Sequence, residues 1–172
     1  MSALPDDTTG STNAWVEGQI FSTGMARVTG EFDGWLTKNV GYYVIMHQDS
    51  DGQREIYGGP KWKALPWLEI GVGAGRESMP NSIRRNAYFL INYEKLYAFG
   101  TFENGGSGYW HRIDLIYRLT DKFGVGVMDE TGFGLGPRLE YTIKKNVMLW
   151  GALLHNHNTG KTVSTLAVNF TF

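Results

Sequence analysis

The chain has no cysteine, which excludes both a disulfide framework and a thiolate metal site. It has no run near the roughly 18 consecutive apolar residues that a membrane-spanning helix needs. Net charge is close to zero, −1 in 172 residues, so the overall balance favours neither nucleic acid nor an anionic membrane surface as a partner. No stretch of useful length shows helical periodicity. Residues Met1–Asp7 lack a basic start and an apolar core and do not form a signal peptide; an exported protein would here be a mature form with an added initiator Met1.

What is present is glycine, 23 residues, and aromatics at 14%, with a mean hydropathy of only −0.27. Strands that are apolar on one side and polar on the other give this combination and stay hidden in a hydropathy profile. The length suits one domain. Residues 1–12 are polar, with Pro5 and Gly10, and read as a flexible N-terminal tail ahead of a β-domain over 13–172.

The pattern is plainest in Lys161–Phe172, K-T-V-S-T-L-A-V-N-F-T-F. Leu166, Val168, Phe170 and Phe172 alternate with Thr165, Ala167, Asn169 and Thr171, the period of a strand with one apolar face. As an open edge such a strand would invite further pairing, and closure into a barrel removes the edge. The stretch resembles the last strand of bacterial outer-membrane β-barrel proteins, which typically alternates apolar residues and ends on Phe. That resemblance implies an all-β, antiparallel, up-and-down transmembrane β-barrel in a Gram-negative outer membrane. It also implies outer-membrane lipids as surroundings and barrel assembly machinery that engages the strand ending at Phe172. The alternative is a soluble β-barrel that buries its apolar face and binds an apolar ligand.

Eleven further strand candidates precede this one, separated by turn signals. They run over Asn13–Ser22, Met25–Leu36, Val40–Gln48, Arg54–Lys63, Trp67–Arg76 and Arg85–Tyr93, then Leu96–Glu103, Tyr109–Leu119, Phe123–Met128, Phe133–Ile143 and Val147–His155. The total is about twelve, with ten possible, and an even number is what single-chain bacterial barrels need. Tight turns such as Glu94-Lys95 alternate with longer segments such as Glu77–Arg84 and Asn104–Gly108, a contrast expected between the two ends of an outer-membrane barrel. Pro137 removes a ladder donor in mid-strand and predicts a bulge.

Each clearly alternating strand has one charge-free face and one with ionisable groups. Tyr or Trp near strand ends (Trp62, Tyr93, Tyr117, Tyr141) predicts an interfacial girdle and places the charge-free face against lipid. The charged face then lines the lumen, through Glu17, Arg27, Glu31, Asp33, Glu55, Lys61, Lys63, Glu69, Arg112, Asp114, Arg118, Arg138 and Glu140. Val40–Gln48 and Val147–His155 are apolar on both faces and leave their register open. Lumen charges must pair or meet water. Pairing across the barrel gives a salt-bridged plug; segregation to opposite walls gives a transverse field across an aqueous path. Inward glycines are expected to widen that path. The reading is a narrow passive diffusion channel for small polar solutes. Twelve-stranded porins for acidic oligosaccharides share the size class, with lumens expected to be richer in Arg.

Other chemistry is weaker. His155 and His157 stand at i, i+2 beside a loop and are candidates for a metal or a general base, hence for an outer-membrane lipid hydrolase. No His-x-Ser motif accompanies them, and His47 and His111 have no partner by spacing. Gly71–Gly75 and Gly132–Gly136 precede no helix, which argues against a nucleotide loop. Lys61-Trp62-Lys63 in a strand of a near-neutral chain is no nucleic-acid patch. No cofactor is called for. A closed barrel with a structural, adhesin or receptor role is the remaining alternative.

Overall fold

Period-two alternation becomes a single closed sheet in the computed structural model of the chain, in which residues 10–78 and 82–172 are described. The first six strands are β1 (Thr12–Phe21), β2 (Ala26–Trp35), β3 (Val40–Asp49), β4 (Arg54–Leu65), β5 (Leu68–Glu77) and β6 (Ile83–Tyr93). The second six are β7 (Leu96–Gly105), β8 (Gly108–Arg118), β9 (Phe123–Glu130), β10 (Gly134–Lys144), β11 (Val147–Asn156) and β12 (Lys161–Thr171). Each pairs antiparallel with its neighbours in sequence, and β1 pairs with β12 to close the barrel. Of the tail expected over residues 1–12, residues 1–9 lie outside the described part. Gly10 donates its N–H to the Trp35 carbonyl, and β1 begins at Thr12.

The outer face is apolar. Ile20, Val28, Met46, Ile56, Leu135, Leu139, Leu153 and Leu166 are all at least half exposed, each flanked in its strand by inward-facing residues. Tyr93, Tyr117 and Tyr141 are exposed where β6, β8 and β10 end, and Trp67 meets Tyr93 edge-on at 5.9 Å. Water would be a poor solvent for such a surface, since contiguous apolar patches of this extent are rare on soluble proteins. Most charged residues of the strands face inward; Arg54, Arg76 and Arg85, near strand ends, are exposed on the outer face.

Several local expectations are revised. The strands run further than the turn residues suggested, so Glu77, Arg84, Gly105, Glu130 and Asn156 belong to strands. Among the connections described in full, segments 22–25, 50–53, 106–107, 131–133 and 157–160 at one end are little longer than 36–39, 66–67, 94–95, 119–122 and 145–146 at the other, while 78–82, between β5 and β6, is only partly described. Below, the first is the loop end and the second the turn end. Pro137 causes no bulge: the β10–β11 register is the same at Leu135↔His155 and Arg138↔Ala152, and the shift comes later, between Thr142 and Lys144. Its side chain is outward and its missing donor is absorbed without a slip.

The inward glycines do not widen the lumen. A Cβ on Gly71 would stand 2.2 Å from the Tyr88 ring, and one on Gly73 would stand 2.5 Å from the Tyr43 hydroxyl. Glycine is required there because tyrosines from β6 and β3 lie flat across β5. Tyr43, Ile45, Tyr57 and Tyr88 form one buried cluster on this wall, and Met128, Trp150, Ala152, Leu154 and Ala167 form another on β9, β11 and β12. The charges run between the two.

Candidate functional site

Every residue expected to line the lumen occupies an inward position of its strand. Glu17, Arg27, Asp33, Glu55, Lys61, Asp114 and Arg138 are buried, and Glu31, Lys63, Glu69, Arg112, Arg118 and Glu140 are half-buried. Most of them are brought together in three networks.

The first, near the loop end, centres on Arg27 of β2. Its Nε meets Asp49 Oδ1 at 2.9 Å, and Nη1 crosses the barrel to Glu130 of β9. His47 adds an Nε2–Asp49 contact of 2.9 Å, and its Nδ1 meets the Thr29 hydroxyl at 3.2 Å. Beside it, Arg84 of β6 lies among Glu103 (2.9 Å), Glu55 (3.3 Å) and Glu77 (3.4 Å). Tyr57 donates its hydroxyl to Glu103, and Tyr43 donates to Asn86 Oδ1.

The second lies at mid-height. Arg112 of β8 reaches across to Glu17 of β1 at 3.1 Å and meets Asp114 at 3.0 Å. Asp114 also pairs with Arg138 at 2.6 Å, and Arg138 with Glu140 at 2.7 Å. Trp150 holds this chain in place: its Nε1 donates to the second Glu17 oxygen at 2.7 Å, and Arg112 and Arg138 stack 4.9 and 4.1 Å from its ring. The indole thus supplies a cation–π surface and a hydrogen bond where water is scarce.

The third, towards the turn end, joins Lys61 to Asp33 and, at 3.4 Å, to Glu69. Tyr88 donates to Glu69 at 2.6 Å, Trp15 Nε1 donates to Glu31 at 3.1 Å, and Lys61 and Lys63 lie over the Trp35 ring. Arg118 lies over Tyr97.

Between the first two networks is a cavity of about 100 Å³, lined among others by Trp15, Glu17, Arg27, His47, Glu55, Trp110 and Arg112. Its lining mixes charged and aromatic side chains, and it is large enough for a few water molecules.

Sequence reasoning missed Asp49, Glu77, Arg84, Glu103 and Glu130 as lumen residues. With them included, inward carboxylates clearly outnumber inward Lys and Arg.

Among the histidines, His155 and His157 have their rings 4.9 Å apart, and His155 Nδ1 meets the Thr162 hydroxyl at 3.0 Å. Among the described residues, no cluster of three or more His, Cys, Asp or Glu is placed to hold a metal. His111 does have partners: Asp129 at 3.0 Å and the Thr131 hydroxyl at 2.9 Å, both from across the β8–β9 seam. That hydroxyl also accepts the His111 backbone N–H at 2.9 Å, so the ring is held at both nitrogens by residues of one short segment. The same Thr–His–Asp order recurs at Thr29, His47 and Asp49 inside the barrel, as a way of satisfying both ring nitrogens.

No protein-family model and no curated protein sequence matches the chain. Solved structures do. A KdgM porin in complex with disordered oligogalacturonate is similar with a TM-score of 0.60 and 12% identity, over 93% of this chain and 99% of that one. The NanC porin is similar with a TM-score of 0.56 and 10% identity, over 91% and 98%. The Acinetobacter baumannii outer membrane protein Omp33 is similar with a TM-score of 0.52 and 10% identity, over 98% and 100%. At these identities the likeness concerns the fold, and the chain shares the closed β-barrel of these outer-membrane proteins nearly end to end.

Proposed function

We propose that the protein is an outer-membrane β-barrel that forms a narrow, low-conductance diffusion path for small polar solutes. Its residence in a membrane is supported by the inverted distribution of polarity, charges inside and apolar side chains outside. The observation that carries the channel reading is the cavity between the Arg27 and Arg112 networks, which has room for a few water molecules. Solutes pass where water already fits, and the cross-lumen pairs Arg27–Glu130 and Arg112–Glu17 set the narrowest point. The thirteen residues expected to line the lumen act in this reading as the walls of that path.

One of the similar porins is described with oligogalacturonate bound. An anionic saccharide is disfavoured here, because every buried Arg and Lys of the lumen already faces carboxylates and the carboxylates are in excess. Neutral or cationic solutes suit the lining better. Assembly in the membrane would engage β12, whose Phe172 is 75% exposed; slower assembly of Phe172→Ala in isolated outer membranes checks this.

A second reading is favoured by the same ion pairs: a closed barrel whose lumen is a rigid plug. Swelling of proteoliposomes separates the two. The channel reading predicts slow swelling with a pentose and none with a trisaccharide. No swelling with either, from protein that is folded and inserted, supports the plug.

A further inference from the structure

The outer face holds one feature that a diffusion path does not use. Arg54, Arg76 and Arg85 are exposed and point outward near the loop end of β4, β5 and β6. The register places them in a diagonal row: Arg76 is opposite Ile83 and, on the other side, Ile56, two residues from Arg54, while Arg85 is opposite Ala74, two residues from Arg76. Diagonal positions of this kind lie roughly 7–8 Å apart. Three like charges at that spacing repel one another, and among the described residues none has an ion pair. The contrast with Arg84 is direct, since that inward neighbour of Arg85 faces three carboxylates.

The row sits at the edge of the apolar surface. The next outward residues on these strands are Ile56, Ala74 and Ala87. A shallow groove on the outer face runs up from Val16, Val28, Met46 and Ile56 to Arg54 and Arg76. Its head is fixed by the strand ends, where the Arg54 N–H donates to Ser78 Oγ at 3.1 Å and the Ser78 N–H to the Arg54 carbonyl at 2.8 Å. An apolar groove that ends in unpaired guanidinium groups has the polarity of a lipid: acyl chain below, anionic head above. Guanidinium forks bind phosphate oxygens in pairs.

We infer that Arg54, Arg76 and Arg85 form a binding site for the phosphate groups of a multi-acyl, phosphate-bearing membrane lipid, with one chain in the groove along Val28, Met46 and Ile56. The site rests on the reading of the barrel as a membrane protein. It orients the barrel, with the loop end in the leaflet that carries this lipid, and it screens the repulsion within the row.

The test is native mass spectrometry of the barrel refolded in an uncharged detergent, with bisphosphorylated lipid A as probe and phosphatidylglycerol and inorganic phosphate as comparisons. The wild type should retain lipid A in preference to phosphatidylglycerol. The variant R54Q/R76Q/R85Q should retain it about tenfold less, and K144Q/K145Q, at the turn end, should match the wild type. Equal retention by all three proteins overturns the site, as does a failure of every protein to retain lipid. Competition by millimolar inorganic phosphate that removes the lipid completely would show a free-phosphate site and also overturn it. A barrel that stays monodisperse without detergent would instead overturn the membrane reading itself, which keeps the two failures apart.

Discussion

Arg112 on β8 and Glu17 on β1 meet at 3.1 Å across the lumen, although neither strand neighbours the other in the sheet. The second Glu17 oxygen accepts the Trp150 indole N–H, and Arg112 continues through Asp114 to Arg138. One carboxylate therefore ties together three parts of the wall. Removing Glu17 leaves the largely buried Arg112 with Asp114 as its remaining counter-ion and takes the acceptor from the Trp150 N–H.

Glu17→Ala should accordingly destabilise the barrel by about 3–5 kcal/mol. Replacing both partners, as Glu17→Leu with Arg112→Leu, should cost clearly less, because no charge is orphaned. Urea unfolding of the detergent-refolded proteins, followed by tryptophan emission, measures both. A single variant as stable as the double would show that the pair carries no coupling.

The excess of inward carboxylates predicts a preference for cations. Glu77 is one of three carboxylates that share the single Arg84 guanidinium, and it also accepts the Ser107 N–H at 2.8 Å. Glu77→Gln keeps an acceptor for that N–H and should reduce cation selectivity, moving the reversal potential in a salt gradient towards zero. An anion-selective wild type would contradict the charge count.

Gly71→Ala tests the packing of the tyrosine wall. Its Cβ would lie 2.2 Å from the Tyr88 ring, so the ring must move and its hydrogen bond to Glu69 is lost. Overpacking of this kind costs about 1–3 kcal/mol. Gly18→Ala, whose Cβ meets nothing nearer than 4.0 Å, is the control and should be close to neutral. Equal effects of the two would place the cost in the strand backbone and not in the ring.

Much of this was legible in the sequence, for a physical reason: a barrel strand has two surroundings, and period two reports them residue by residue. Leu139 and Arg138 could be sorted without coordinates. What failed were the ends of strands. Glu77 stands next to Ser78, and Arg84 and Glu130 stand two residues from Ser82 and Gly132, residue types that signal loops, yet each continues the inward alternation by one more step, from Gly75, Asn86 and Met128. Extending the period into the turns would have found them. Cross-lumen partners such as Glu130 for Arg27 lie outside any local pattern, since they depend on which strands face each other once the barrel closes. The role of the inward glycines was also hidden, because only the fold shows that Tyr88 from the next strand and Tyr43 from two strands away lie over them.

Single-channel conductance in planar bilayers tests the central claim most directly, with the wild type compared with Arg27→Ser/Glu130→Ser. If the lumen is a path narrowed by cross-barrel pairs, the wild type gives small discrete steps, and removal of both partners makes them larger without loss of folding. Silence from both proteins, folded and inserted, would contradict the account and establish the barrel as closed.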